Sequence, residues 1–229
     1  MSMDRHVVML SAGMDSVLNL LLSLERGEVV LALTVDYGQR AAAREIERSK
    51  EICRRLGVDH RVLEFPWLGE ISGAALIVSG GPGEPSWARG STSEEVDALW
   101  IPNRNGLFAN VGACFAEALD ARFVVMGLNA EEGEIFPDNS IHFLDSVNKA
   151  LEISTRKSIE LVSYTVDWDK ERIARELAAR GFDFSLLWSC YNGGKEMCGE
   201  CPSCKRLIAS AKRAGIYFHI NGMFGGRGR

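Results

Sequence analysis

Histidine is scarce in this chain and its apolar runs are short. Four histidines occur in 229 residues. His6, His60, His142 and His219 stand far apart in no ligand-like spacing, so neither a histidine metal site nor a Ser-His-Asp arrangement is readable. No stretch is long enough to span a membrane, and the opening MSMDRHVVML lacks the apolar segment of a signal peptide. The chain is therefore expected in the cytoplasm, with no membrane partner. Positive charge is in deficit too. A net charge of −5 argues against a protein built mainly to coat nucleic acid, which needs excess Lys and Arg to neutralise phosphates. No internal repeat occurs, and outside the terminal GMFGGRGR nothing is low-complexity. What remains is the balance of a soluble globular protein, long enough for one α/β domain with a small appendage.

Apolar strand-like runs at 6–10, 29–36, 60–65, 122–127 and 160–166 alternate with helix-spaced patterns at about 16–26, 40–56, 105–120, 141–155 and 169–180. Gly27, Gly57 and Gly181 each follow a helical pattern, where a left-handed closing residue belongs. Strand, helix, strand in repetition predicts an α/β fold: a parallel sheet with helices on both faces, since parallel strands need right-handed crossovers. This domain is expected to occupy 1–186. Within it, 66–100 is too long for a plain connection and is expected to be a substrate or lid loop. A cysteine-bearing helical segment, 187–217, and a frayed tail, 218–229, follow.

Six cysteines in a reducing compartment are ligands, nucleophiles or core filler sooner than disulfides. Cys53 and Cys114 sit alone in helical patterns and read as buried small hydrophobes. Cys190, Cys198, Cys201 and Cys204 are bunched. Paired Cys-x-x-Cys knuckles plus one cysteine from a separate segment can close a tetrahedral Zn²⁺ site. With all four positions filled by thiolates, such a site is structural. An iron–sulfur cluster and a redox dithiol are the alternatives.

The first strand breaks into Ser11-Ala12-Gly13-Met14-Asp15-Ser16 before the first helix. Small residues there bare backbone N–H groups beside a positive helix terminus, and two hydroxyls add to them, which together make an anion cradle. Neither the lysine of a Walker loop nor the G-x-G-x-x-G of a dinucleotide site is present. Asp15 is an odd neighbour for phosphate unless Mg²⁺ lies between them.

That loop resembles the pyrophosphate loop of the N-type ATP pyrophosphatases, whose usual form is SGGxDS. Ala12 stands where that form has glycine, a change tolerated if the backbone keeps a negative φ. Three further segments narrow the likeness: Asp36-Tyr37-Gly38-Gln39, Ile101-Pro102-Asn103-Arg104-Asn105, and the run from Asn129 through Glu131, Glu132 and Phe136 to Asp138, Asn139 and Ser140. With the cysteine quartet, and in this order, they resemble the 7-cyano-7-deazaguanine synthase family over about 7–215.

The resemblance implies a Rossmann-like fold of the adenine nucleotide alpha hydrolase (HUP) type and conversion of 7-carboxy-7-deazaguanine and ammonia to the nitrile. ATP adenylates the acid and then the amide, with Mg²⁺ as cofactor and Zn²⁺ in the knuckle. It implies that the loop from Leu10 through Ser11, Ala12, Gly13, Met14 and Asp15 to Ser16, with Tyr37 and Gln39, holds the nucleotide. Ser11, Asp15, Ser16 and Arg104 become the catalytic set, with Asp15 helping to place Mg²⁺. Arg104 offers a bidentate fork for the substrate carboxylate or the α-phosphate. The deazaguanine edge presents N–H donors that call for an acid. Glu131, Glu132, Glu134 and Asp138 qualify, with Glu131 and Asp138 favoured. Asn105, Asn129 and Phe136 complete the substrate set, and either Tyr37 or Phe136 offers a ring for stacking. A homodimer is expected, with ammonia arriving free or from a partner. Two rivals stay open: a homologue that passes the activated acid to a protein or nucleic-acid amine, and a non-catalytic nucleotide-binding module.

Overall fold

The structure, a computed structural model, describes residues 3–74, 76–77 and 97–225. Most of the expected lid loop, 78–96, lies outside them. Strands β1 (Asp4–Met9), β2 (Gly27–Asp36), β3 (His60–Glu64), β4 (Phe123–Val125) and β5 (Glu160–Val162) form one parallel sheet in the order β3-β2-β1-β4-β5. The helices are α1 (Met14–Arg26), α2 (Ala42–Leu56), α3 (Pro66–Glu70), α4 (Arg104–Ala118), α5 (Ala130–Gly133), α6 (Ile141–Ser154), α7 (Lys170–Ala179) and α8 (Pro202–Arg213).

Both faces of the sheet are covered, which explains why β1 and β2 are near-continuous apolar runs. One face packs α1, α2, α7 and α8 through Leu18, Ile52, Ile173, Leu177 and Leu207. The other packs α4 and α6 through Ala109, Ala113, Leu144 and Leu151. Cys190, Cys201 and Cys204 join the first of these clusters. The cysteine segment therefore shares the sheet's core.

Four expectations need correction. Gly27 does not close α1 in a left-handed turn; its φ is 177°, and it opens β2 directly, paired with Asp4. Gly57 and Gly181, at φ 67° and 64°, do close their helices in that way. Strand β5 ends at Val162 instead of running to 166, because Ser163 and Thr165 turn their hydroxyls onto the Leu128 carbonyl and Tyr164 N–H donates to Asn19 Oδ1. Cys114 is exposed on α4, whereas Cys53 is buried. The tail from 218 is not frayed at its start: Ile220 is fully buried, Met197 N–H donates to the Met223 carbonyl, and Gly225 N–H donates to the Met197 carbonyl. Residues 226–229 lie outside the described set.

Candidate active site

Strand order reverses between β1 and its two neighbours, β2 on one side and β4 on the other. Open α/β sheets bind ligands at such a switch point, beyond the carboxyl ends of the strands. A cavity of about 290 Å³ lies there, lined by the loop after β1, the ends of β2 and β4, the start of α4 and the first turn of α8. Gly127 lets the wall close. A Cβ there would meet Ser16 N at 2.4 Å, so only glycine allows the end of β4 to touch the first turn of α1.

The loop hydroxyls are bonded within the loop. Ser16 Oγ donates to the Gly13 carbonyl at 3.1 Å and accepts from Ser11 N–H at 3.2 Å, with Ser11 Oγ a further 3.2 Å away. Ala12 departs from expectation: its φ is 58°, in the left-handed region, and its methyl is fully buried off the cavity wall. That conformation turns its carbonyl toward Trp188 N–H, 3.0 Å away, and so joins the loop to the chain entering the cysteine segment. Leu10, Gly13, Met14, Asp15 and Ser16 line the cavity.

Lys170, at the start of α7, was not foreseen. Its Nζ bonds Asp15 Oδ2 and lies 3.0 Å from Glu132 Oε1, which also takes Arg206 Nη2 at 3.2 Å. Two cations and two carboxylates from four elements thus share one buried cluster. Burial alone would push Glu132 up, but Lys170 and Arg206 outweigh it and hold the carboxyl at about 2. Burial likewise works against the charge on Lys170, and Asp15 and Glu132 overcome it, raising its pKa. For Asp15 burial prevails over Lys170, and its pKa is raised.

The opposite wall is built differently. Asn103, left-handed at φ 49°, precedes Arg104, whose Nη1 lies 3.4 Å from the Tyr37 hydroxyl. Gln39 Oε1 accepts from Tyr37 N–H at 2.9 Å, and its Nε2 donates to the Val35 carbonyl at 3.0 Å and to Glu45 Oε2 at 2.8 Å. Gln39 therefore lines the cavity while its amide is spent on its neighbours. Burial pushes Glu45 up to about 7 against the Gln39 bond and the Arg104 charge. Asp138 is also raised by burial, with Arg104 the main counterweight.

The favoured substrate residues divide. Asn105, Phe136 and Asp138 reach the cavity, Asn105 through a bond from Nδ2 to the Asp138 carbonyl at 3.2 Å. Glu131 does not line it. Its carboxylate accepts from Lys170 N–H at 3.0 Å and faces Arg213, while Glu132 occupies the wall. Asn129 is also off the wall and caps α5 by accepting from Glu132 N–H. No local signal marks Lys170, Arg206 or Glu45, since each arrives from a helix distant in sequence.

Donor chemistry tests which ions fit. The four sulfurs of Cys190, Cys198, Cys201 and Cys204 all lie within 4.8 Å of one another. A Zn–S bond of about 2.3 Å in a tetrahedron asks for about 3.8 Å. Cys198 and Cys204 Sγ are 3.9 Å apart, and backbone N–H groups of Asn192, Cys198 and Cys201 aim at sulfurs, as thiolates require. In a cubane each thiolate binds a different iron, which spreads the sulfurs further. At the loop, Asp15 Oδ1 is buried with no hydrogen-bond partner, a free ligand oxygen suited to Mg²⁺. Trp188 Nε1 is a second orphan, a donor on the cavity wall. Among the described residues, no helix is long and apolar enough to cross a membrane.

Comparison with known proteins agrees with this architecture. A 4-thiouridine synthetase–RNA complex with bound ATP shares the fold (TM-score 0.52, 15% identity, 96% of this chain and 53% of that chain). The 7-cyano-7-deazaguanine synthase of Carboxydothermus hydrogenoformans is 43% identical over 210 residues, covering 90% of this chain and 97% of its own. That of Desulforudis audaxviator is 44% identical over 215 residues (92% and 98%), and that of Methanosarcina barkeri 35% over 221 (93% and 95%). The family model for queuosine biosynthesis protein QueC matches residues 5–213. With the family model matching residues 5–213 and relatives 35–44% identical over nearly the whole length, the chain belongs to the QueC family.

Proposed function

We propose that this protein is a 7-cyano-7-deazaguanine synthase, an ATP-dependent enzyme that converts 7-carboxy-7-deazaguanine and ammonia to the nitrile through the adenylate and the amide. A carboxylate repels nucleophiles and offers no good leaving group. Adenylation cures both defects, and the same activation applied to the amide oxygen lets the nitrile form. The observation that carries the reading is one cavity with two unlike walls: an anion-binding loop backed by Lys170 on one side, Arg104 and Asp138 on the other. Both rounds act on oxygens of a single carbon, so one cavity serves both.

The chain's own residues contribute mainly positioning and charge compensation, the largest levers for such chemistry. N–H groups of the loop and Lys170 hold the pyrophosphate moiety. Arg104 takes the substrate carboxylate or the α-phosphate, and its contact with Tyr37 fixes its direction. Asp138 is the acid for the deazaguanine edge; Glu131, turned to α7, is replaced in the cavity by Glu132. Mg²⁺, held through Asp15, would neutralise phosphate charge, and Zn²⁺ in the Cys₄ site would fix the segment that carries Arg206. A homodimer and a cytoplasmic setting belong to the same reading.

The test is incubation of purified protein with ATP, Mg²⁺, ammonium and the acid, followed by mass spectrometry. Amide and then nitrile should appear with AMP and pyrophosphate. AMP formed with the acid but no nitrile would point to a different amine acceptor, and absence of ATP cleavage by folded, metal-loaded protein would refute the enzymatic reading.

A further inference from the structure

The reaction proposed above leaves a proton problem. Near neutral pH the nitrogen source is ammonium, which has no lone pair to attack with. The second round must also strip protons from the amide nitrogen before a triple bond can form. Among the described residues the cavity wall carries no histidine and four carboxylates: Asp15, Glu45, Glu132 and Asp138. Asp15 and Glu132 are bound to Lys170, with Arg206 a second partner of Glu132, so taking a proton would break ion pairs that hold the wall together. Asp138 accepts from Asn139 Nδ2 at 2.9 Å and is already the acid assigned to the deazaguanine edge. Glu45, like Asp138, is held by a neutral amide and has no ion pair among the described residues, accepting from Gln39 at 2.8 Å; it alone of the four has no other task in the reaction proposed above.

We propose that Glu45, on the first turn of α2, is the proton acceptor of the amine step and of nitrile formation. In the first round ammonium gives a proton to the Glu45 carboxylate. The lone pair so freed forms the C–N bond at the adenylated carbon, and the C–O bond to AMP breaks with its electron pair leaving on AMP. Glu45 returns its proton to solvent, and the surplus proton on nitrogen follows, leaving the amide. In the second round the amide oxygen bonds the α-phosphorus of ATP, pyrophosphate leaves with the P–O pair, and one N–H proton passes to solvent, giving the imidate. Glu45 takes the remaining N–H proton of the imidate, that bonding pair becomes the third C–N bond, and AMP departs with the C–O pair.

The surroundings suit this work. The charged and titratable groups acting on Glu45 are Arg104 from α4 and Asp36 and Tyr37 from the end of β2. Arg104 keeps the carboxylate from climbing further, while burial and Asp36 push it up, leaving it at about 7. A base poised near the working pH is the most effective one. Its place across the cavity from the loop, beside Arg104, puts the amine on the side where the substrate carboxylate is held. Gln39 becomes a positioning residue, since its amide fixes Glu45 and Tyr37 together.

Glu45→Gln keeps the shape and the oxygen that accepts from Gln39, and it tests the assignment. Acid-dependent AMP formation without ammonium should stay within about threefold of wild type, while ammonium-dependent amide formation falls by about 10²-fold or more. Hydroxylamine, unprotonated near neutral pH, should restore acyl transfer in the variant. The wild-type profile for ammonium should bend near the Glu45 pKa, and the variant's should rise without that bend. Glu45→Asp should recover part of the rate. Equal loss with ammonium and hydroxylamine, or a raised KM for the acid with an unchanged profile, would overturn the assignment in favour of a binding role. A wild type that cleaves no ATP with the acid refutes the proposed function itself; a working wild type matched by Glu45→Gln refutes only the role of Glu45.

Discussion

Glu132 and Glu45 face the same cavity, both are partly buried, and their acidities lie at opposite extremes. Glu132 is held at about 2 and Glu45 rises to about 7. Burial acts on both in the same direction, so burial is not what separates them. The difference is the partner: two cations, Lys170 and Arg206, for one, and a neutral amide for the other. One wall is thereby fixed as a charged scaffold, and the other keeps a carboxyl with no ion pair among the described residues.

The contrast can be broken hardest at the metal. Arg206 stands on α8, two residues beyond Cys204, so the ion pairs of the paired wall ride on the Cys₄ helix, whereas the Glu45 wall meets that segment through Arg44 Nε, which donates to the Gly194 carbonyl at 2.8 Å. With the Cys₄ site holding Zn²⁺ as proposed, its chelation, worth on the order of 10 kcal/mol in small sites, should sharply raise hydrogen exchange through 202–213 and 128–134. Exchange through 35–47 should rise less, since its contact with the cysteine segment runs through the Arg44–Gly194 bond and not through the Lys170–Glu132–Arg206 cluster. Equal loosening of both walls would contradict the division.

Lys170→Met removes the shared cation of the paired wall and leaves Asp15 and Glu132 buried together. A loss of about 3–5 kcal/mol is expected in urea unfolding, with ATP cleavage lost as well. Adding Asp15→Asn should return part of the stability, since Asp15 loses its ion pair while Glu132 keeps Arg206.

Glu45→Gln tests the open wall through pH. The folded carboxyl sits near 7 against 4.5 for the free group, so the folded state holds more protons between those values, and wild-type stability falls as pH rises through that window. The variant lacks this slope. It should match wild type near pH 4 and exceed it by about 2–3 kcal/mol at pH 8, measured by denaturant unfolding at both. Glu132 works with the opposite sign. Its contribution is full above 4.5 and is lost as pH falls toward 2.

The smallest effect is expected at Ala12→Gly. Relief of the left-handed alanine, about 1–2 kcal/mol, is offset by a lost buried methyl, about 0.8, and by a looser unfolded chain, about 0.4–1. Stability should stay within about 1 kcal/mol of wild type in the same assay. A larger loss would mean that the methyl, and not the turn, is what the loop depends on.

Much of this was legible along the chain because it depends on neighbours in sequence. Periodicity marked the strands and helices to within a few residues, small residues and hydroxyls marked the loop after β1, and two knuckles marked the Cys₄ cluster. The misreadings share a cause. Cys114 and Ile220 were judged by composition, but only the packing of α4 and of the C-terminal turns decides which side of each meets solvent. Glu131 and Glu132 are adjacent, and which of them enters the cavity depends on where the α5 turn meets α7.

By itself, then, the sequence determined the alternation that builds a parallel sheet, the loop of small residues and hydroxyls after β1 and the cluster of four cysteines, all of them written in local spacing and side-chain size. Tertiary structure decided the charges. The lysine missing from the loop is supplied as Lys170, 155 positions after Asp15. Arg206 comes from the cysteine helix and Glu45 from the first turn of α2. A side chain's charge state depends on which partners and how much water surround it in space, and spacing along the chain encodes neither.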